Sequence, residues 1–219
     1  MLKIIYTGKD TAKIEKAVLK AFDFAYKFFN LKLTNIIVCV SETRAEYNRI
    51  LKRKTLDWEV GSASRDGRID ILGPLAMQNE SCHSRAEFPQ ILKHEFTHLF
   101  IDKLAKGKTV PKWLDEGLAQ YIAGQHKCNH NLSYLEEDFC QELGSLRGWD
   151  KNINHGAYSI AALFVAFLIK KYSFSKIKEL IISLDKIYYY SRFKKIFFAI
   201  YKKELSEVER LFAVEVNSK

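Results

Sequence analysis

Residues 94 to 98 read His94-Glu95-Phe96-Thr97-His98, and this pentapeptide constrains the chain more than any other stretch of it. Residues four apart share one face of an α-helix, so both imidazoles can reach a single ion, with Glu95 beside them on that face and under no obligation to bind it. The pattern therefore requires a helix at this point. Ser84-Arg85-Ala86-Glu87 supplies a capping box, Pro89 is tolerated in a first turn, and Gly107 follows the basic Lys103 and Lys106 as a stop. Along the expected helix Ile91, His94, Glu95, His98 and Asp102 form one stripe. Leu92, Phe96, Leu99 and Phe100 form an apolar stripe next to it, so the polar groups border a core. The plainer reading of the two histidines is a hydrogen-bonded buried pair.

Eighteen positions after His98 comes Glu116, inside Trp113-Leu114-Asp115-Glu116-Gly117. Lys106 to Thr109, with Gly107, can reverse the chain, and Pro111 can open a second helix whose Leu114, Leu118 and Tyr121 pack inward. Glu116 would then face the two histidines. Two nitrogens and one carboxylate oxygen leave a fourth position open, which separates a catalytic zinc site from a closed structural one. The plainer reading of Glu116 is a solvated first-turn carboxylate favoured by the helix dipole.

The span from about Ile69 to Tyr172 resembles the gluzincin metallopeptidases, and more narrowly their small peptidase MA-like members. The matching residues are His94, Glu95 and His98, then Trp113 to Tyr121, then His155-Gly156-Ala157-Tyr158 opening an apolar helix. The resemblance implies a zincin-like fold, one Zn2+ per chain held by His94, His98 and Glu116, and hydrolysis of peptide bonds with Glu95 as general base and then general acid. It implies Tyr158 as the hydrogen-bond donor to the developing oxyanion, with His155 as the alternative. It also implies that the strand just before the zinc helix, at Ile69-Asp70-Ile71-Leu72, is the sheet edge along which an extended peptide adds. Thermolysin-like relatives carry an acid four residues after the third ligand, where this chain has Gln120. A glutamine can accept from an imidazole N–H but adds no negative charge, and Asp102 and Asp115 are the other candidate partners of the ligands. No grip for a peptide terminus is evident, which leans toward an endopeptidase.

Local patterns predict a strand at Lys3–Tyr6, a helix at Thr11–Phe29, a strand at Asn35–Val40 and a helix at Thr43–Lys52. Strands near Trp58–Ser62 and Arg68–Leu72 follow, separated by the turn signal Arg65-Asp66-Gly67 and closed by Gly73-Pro74. From Ala86 onward the chain reads as helices: the zinc helix, the Glu116 helix, a segment around Tyr134–Leu143, the Tyr158 helix, and three short basic ones. The expected class is α+β, a small N-terminal mixed sheet with helices and then a mainly helical half, with the metal site between them. At 219 residues this fits one catalytic domain, divided into a sheet-containing part (1–80), the zinc-site helices (81–172) and a helical extension (173–219).

An apolar content of 47% and the absence of repeats exclude a disordered or fibrous chain. The apolar run at the amino terminus is too short for a secretory signal, and the longest one, Ala157 to Ile169, is too short to cross a membrane, so a cytoplasmic location is expected. Cys39, Cys82, Cys128 and Cys140 show no paired spacing and read as free thiols. His126-Lys127-Cys128-Asn129-His130 and Cys82-His83 look superficially like metal tracts but read as polar loops. The net charge of +9 and the basic, aromatic stretch Lys186 to Phe198 raise nucleic acid or an anionic membrane face as partners. The favoured partner is a peptide or protein substrate. The competing class is a non-catalytic zinc-binding or basic interaction module on the same scaffold, in which Glu95 would have no duty.

Overall fold

The computed structural model describes residues 1–6, 8, 10–125 and 138–217, which have an α+β architecture. They fall into two compact units, Met1–Phe100 and Ile101–Lys219. The His126–His130 tract and the first part of the expected Tyr134–Leu143 segment lie outside the described residues.

In the first unit, strand β1 (Leu2–Ile5), helix α1 (Thr11–Phe29), strand β2 (Ile36–Ser41) and helix α2 (Arg44–Leu51) precede a hairpin of β3 (Gly61–Ser64) and β4 (Arg68–Leu72). The strands form one mixed sheet in the order β1-β2-β4-β3. β1, β2 and β4 run parallel, with Leu2 opposite Ile36 and Ile37 opposite Arg68, while β3 returns antiparallel, with Gly61 opposite Ile71. Gly67 at φ 90° closes the hairpin, its N–H donating to the Ser64 carbonyl at 3.0 Å.

β4 is thus an inner strand, and the edge expected at Ile69–Leu72 is instead formed by β3. The hairpin adds its first strand to the outside of the second, since β4 already pairs with β2 on its other side. Asp70, which alternation would turn to solvent, is buried there and held by Arg68 at 2.7 and 2.8 Å. The preceding strand also starts later than Trp58. Leu56 to Glu59 make a turn, with Glu59 N–H on the Leu56 carbonyl, and Arg44 gathers the carbonyls of Leu56, Asp57, Glu59 and Glu80 together with Thr55 Oγ1. Backbone carbonyls committed to a guanidinium cannot join a ladder, so pairing begins beyond them.

Gly73-Pro74, read as a turn, in fact opens helix α3 (Pro74–Glu80), with the proline at its first position. A 3-10 turn (Arg85–Glu87) with the expected capping box leads into α4 (Phe88–Ala105), the Ser84 N–H donating to Glu87 Oε2 at 2.7 Å. Within the first unit α4 packs on α1 through aromatic rings: Phe29 stacks on Phe100 at 5.2 Å and Phe22 meets Phe96 edge-on at 5.5 Å.

The second unit holds α5 (Lys112–Ala123), α6 (Phe139–Glu142), α7 (Leu146–Asn152), α8 (Ala157–Tyr172), α9 (Phe174–Ser183), α10 (Tyr190–Tyr201) and α11 (Leu205–Asn217). Lys106 and Gly107, both at positive φ, end α4 where the basic run and glycine indicated. On α5 Leu114 and Leu118 are buried, but Tyr121 is only half-buried and Ile122 takes the inward place, because a helical turn of 3.6 residues favours the i+4 position from Leu118 here. α5 lies close against α8 at Gly117, where an added Cβ would stand 2.5 Å from the Ala161 carbonyl oxygen. Phe139, Phe164 and Phe212 cluster with centroids 5.0 to 5.8 Å apart. Phe193 and Phe197 of the basic tract are core residues as well. No single helix among the described residues is long and apolar enough to cross a membrane; a pair bent by 103°, Leu146–His155 with Ala157–Tyr172, meets that test only together, and half of its second member is buried in the fold.

Candidate metal centre

About two turns into α4 the pentapeptide acquires its geometry. Leu92, Phe96, Leu99 and Phe100 are buried, which fixes the rotation of α4 about its axis and sets His94 and His98 half-buried on the adjoining face. Their ring centroids lie 4.8 Å apart and the planes meet at 72°. Thr97, between them, is fully buried and turns its hydroxyl back to the Lys93 carbonyl at 2.7 Å, so it makes no demand on the site.

His94, His98 and Glu116 each offer one ligand atom, and these three atoms all lie within 4.8 Å of one another. Two imidazole nitrogens and one carboxylate oxygen form the donor set that zinc takes in hydrolytic sites, with one position left for water. The residues present therefore fit the metal that the sequence implied. Glu116 is buried, 5% exposed, in the first half of α5. Lys112, one turn earlier and half-buried, donates to Glu116 Oε1 at 2.5 Å. Sequence reasoning passed over this lysine, although the i, i+4 spacing on α5 signals it.

Glu95 is 6% exposed, an unusual place for a carboxylate without a task. It lies against edge strand β3: a Cβ built on Gly61 would be 2.5 Å from its Oε1 and 2.9 Å from its Cδ. Tyr47 of α2, fully buried, keeps its phenol protonated far above the usual range, first through burial and then through the negative charge of Glu95.

Tyr158 and His155 stand at the start of α8 and are not among the three grouped ligands. His155 ends a 3-10 turn (Ile153–His155) and is exposed; Gly156 at φ 94° then redirects the chain into α8. Tyr158 is half-buried, its ring edge-on to Trp149 at 4.9 Å. Gln120, Asp102 and Asp115 are half-buried. His83 has both ring nitrogens engaged, Nδ1 with Glu87 at 3.1 Å and Nε2 with the Trp58 carbonyl at 3.1 Å, so it is already satisfied where a metal tract was weighed. Cys39, Cys82 and Cys140 are free thiols.

Compared with known proteins, the chain matches no protein-family model and no curated protein.

Proposed function

We propose that this chain is a zinc-dependent peptidase of zincin-like design that hydrolyses amide bonds in peptides or proteins. The observation that carries the reading is the convergence of His94, His98 and Glu116 on one locus with a buried carboxylate, Glu95, on the same helix. Zinc at that locus supplies Lewis acidity, bringing the pKa of water to about 7 and polarising the scissile carbonyl. Glu95 accepts the proton of the attacking water and returns it to the leaving nitrogen. Its near-complete burial keeps competing water away and strengthens its interactions with the reacting groups. Tyr158, steadied by Trp149, is the proposed donor to the developing oxyanion, with His155 as the second candidate.

A peptide is the substrate class because β3 is an open edge. Leu72 N–H donates to the Val60 carbonyl at 2.9 Å, and with Gly61 opposite Ile71 the antiparallel alternation turns the N–H and C=O of Gly61 and Ala63 away from β4. An extended chain can pair there as a further strand.

The test is digestion of a diverse peptide library by zinc-loaded protein and by Glu95→Gln. The reading predicts cleavage by the first and a loss of at least about 100-fold in the second, with equal zinc content. Equal zinc and no cleavage by either would favour a non-catalytic zinc-binding module instead.

A further inference from the structure

Gly61 costs the edge strand something, because a glycine loses more freedom on folding than any other residue and leaves no side chain to pack. Its backbone does not account for it. The glycines at positive φ are Gly67, Gly107, Gly124 and Gly156, so Gly61 has a conformation open to any L-residue. What the position cannot take is a Cβ, and the three heavy atoms nearest to one all belong to a single side chain: Glu95 Oε1 at 2.5 Å, Cδ at 2.9 Å and Cγ at 3.0 Å.

We infer that Gly61 is a positioning residue for Glu95, its bare Cα leaving the space in which the carboxylate rests. The inference takes its catalytic meaning from the peptidase reading above. Contact with three successive atoms of the glutamate means that a methyl group at residue 61 would push the whole carboxylate aside, beyond what a twist of its last torsion relieves. The backbones on either side would hold. α4 is locked to α1 by Phe96 and Phe100, and β3 is locked to β4 along its ladder, so the glutamate side chain is the part that yields. The same glycine turns its N–H and C=O to the open edge of the sheet. One residue therefore touches the base on one side and can pair with an added strand on the other, which fixes the register of that strand relative to Glu95.

The experiment compares Gly61→Ala with wild type on a peptide that wild type cuts, with Ser62→Ala as a control one position along the strand. Zinc content, melting temperature, kcat and KM are measured, and the Gly61→Ala crystal structure is solved. The inference expects unchanged zinc content, KM within about twofold and kcat reduced about 10- to 100-fold, as displacement of a reacting group by about 1 Å does. Ser62→Ala stays near wild type. In the Glu95→Asp background, where the carboxylate is drawn back by one methylene, the added alanine costs less than about threefold in kcat, a non-additivity that marks action through the glutamate. Wild-type kcat in Gly61→Ala, or a crystal structure with the Glu95 carboxylate unmoved, overturns the inference. If Gly61→Ala lowers the melting temperature, the loss must vanish in the Glu95→Ala background, and a loss that persists there also overturns it. Wild-type protein that loads zinc and cuts nothing removes the peptidase reading, and the crystal comparison then decides the contact by itself.

Discussion

Single atoms decide several features of this chain. At Gly117, the residue after the third candidate ligand, the obstacle to a side chain is the Ala161 backbone, with its carbonyl oxygen at 2.5 Å and its carbonyl carbon at 2.7 Å from a built Cβ. Unlike a glutamate tip, a helix backbone cannot turn aside. Gly117→Ala must separate α5 from α8 and is expected to cost about 1–3 kcal/mol, lowering the melting temperature by about 2–4 °C per kcal/mol, as differential scanning calorimetry would record. It should also weaken zinc binding, because Glu116 moves with its helix. The pentapeptide and Glu116 were legible at this scale because i, i+4 spacing and a flanking Trp-Leu-Asp-Glu-Gly segment are local signals. Gly61 was not, since its only distinction is a neighbour 34 positions further along the chain.

Among the elements, α11 and α6 share a buried carboxylate that local pattern could not announce. Glu209 is 3% exposed and accepts the Cys140 N–H at 2.9 Å, yet burial drives its pKa up to about 7, with the Cys140 contacts and Lys194 opposing and Asp138 adding to the rise. Burial also raises the Cys140 thiol and the Tyr188 and Tyr190 phenols around it, so all three are neutral at ordinary pH. A carboxyl whose folded pKa lies above its unfolded value binds more protons in the native state. Its contribution is complete below about pH 4.5 and is lost as pH rises through 7. Wild type should therefore lose up to about 3 kcal/mol between pH 5 and 8, and Glu209→Gln, which keeps an acceptor for the Cys140 N–H, should flatten that slope in urea melts; an unchanged slope would deny the carboxyl this role. The same limit explains the strands. Periodicity found the hairpin and its turn, but the order of strands, which made β3 the edge and β4 an inner strand, depends on pairing that no window of sequence contains. Arg44 shows the same thing, closing the Thr55–Glu59 loop through contacts 11 to 15 residues away and delaying β3 to Gly61.

For the whole molecule, the +9 charge is spread over many lysines, several of them in exposed pairs such as Lys170–Glu215 and Lys176–Glu179 that contribute little to stability. Part of the aromatic side of the basic tract is core, with Phe193 and Phe197 buried and Tyr188 and Tyr190 half-buried while Tyr189 and Phe198 are exposed, which weakens the case for a nucleic-acid or membrane face there. What unifies the chain is the claim that His94, His98 and Glu116 hold one zinc ion, and metal analysis tests it most directly. Protein stripped by chelator and dialysed against micromolar zinc should retain about one ion per chain, with His94→Ala and His98→Ala each weakening retention at least about tenfold and Glu116→Ala doing the same. A chain that retains no zinc, or that retains it equally after loss of both histidines, would contradict the account.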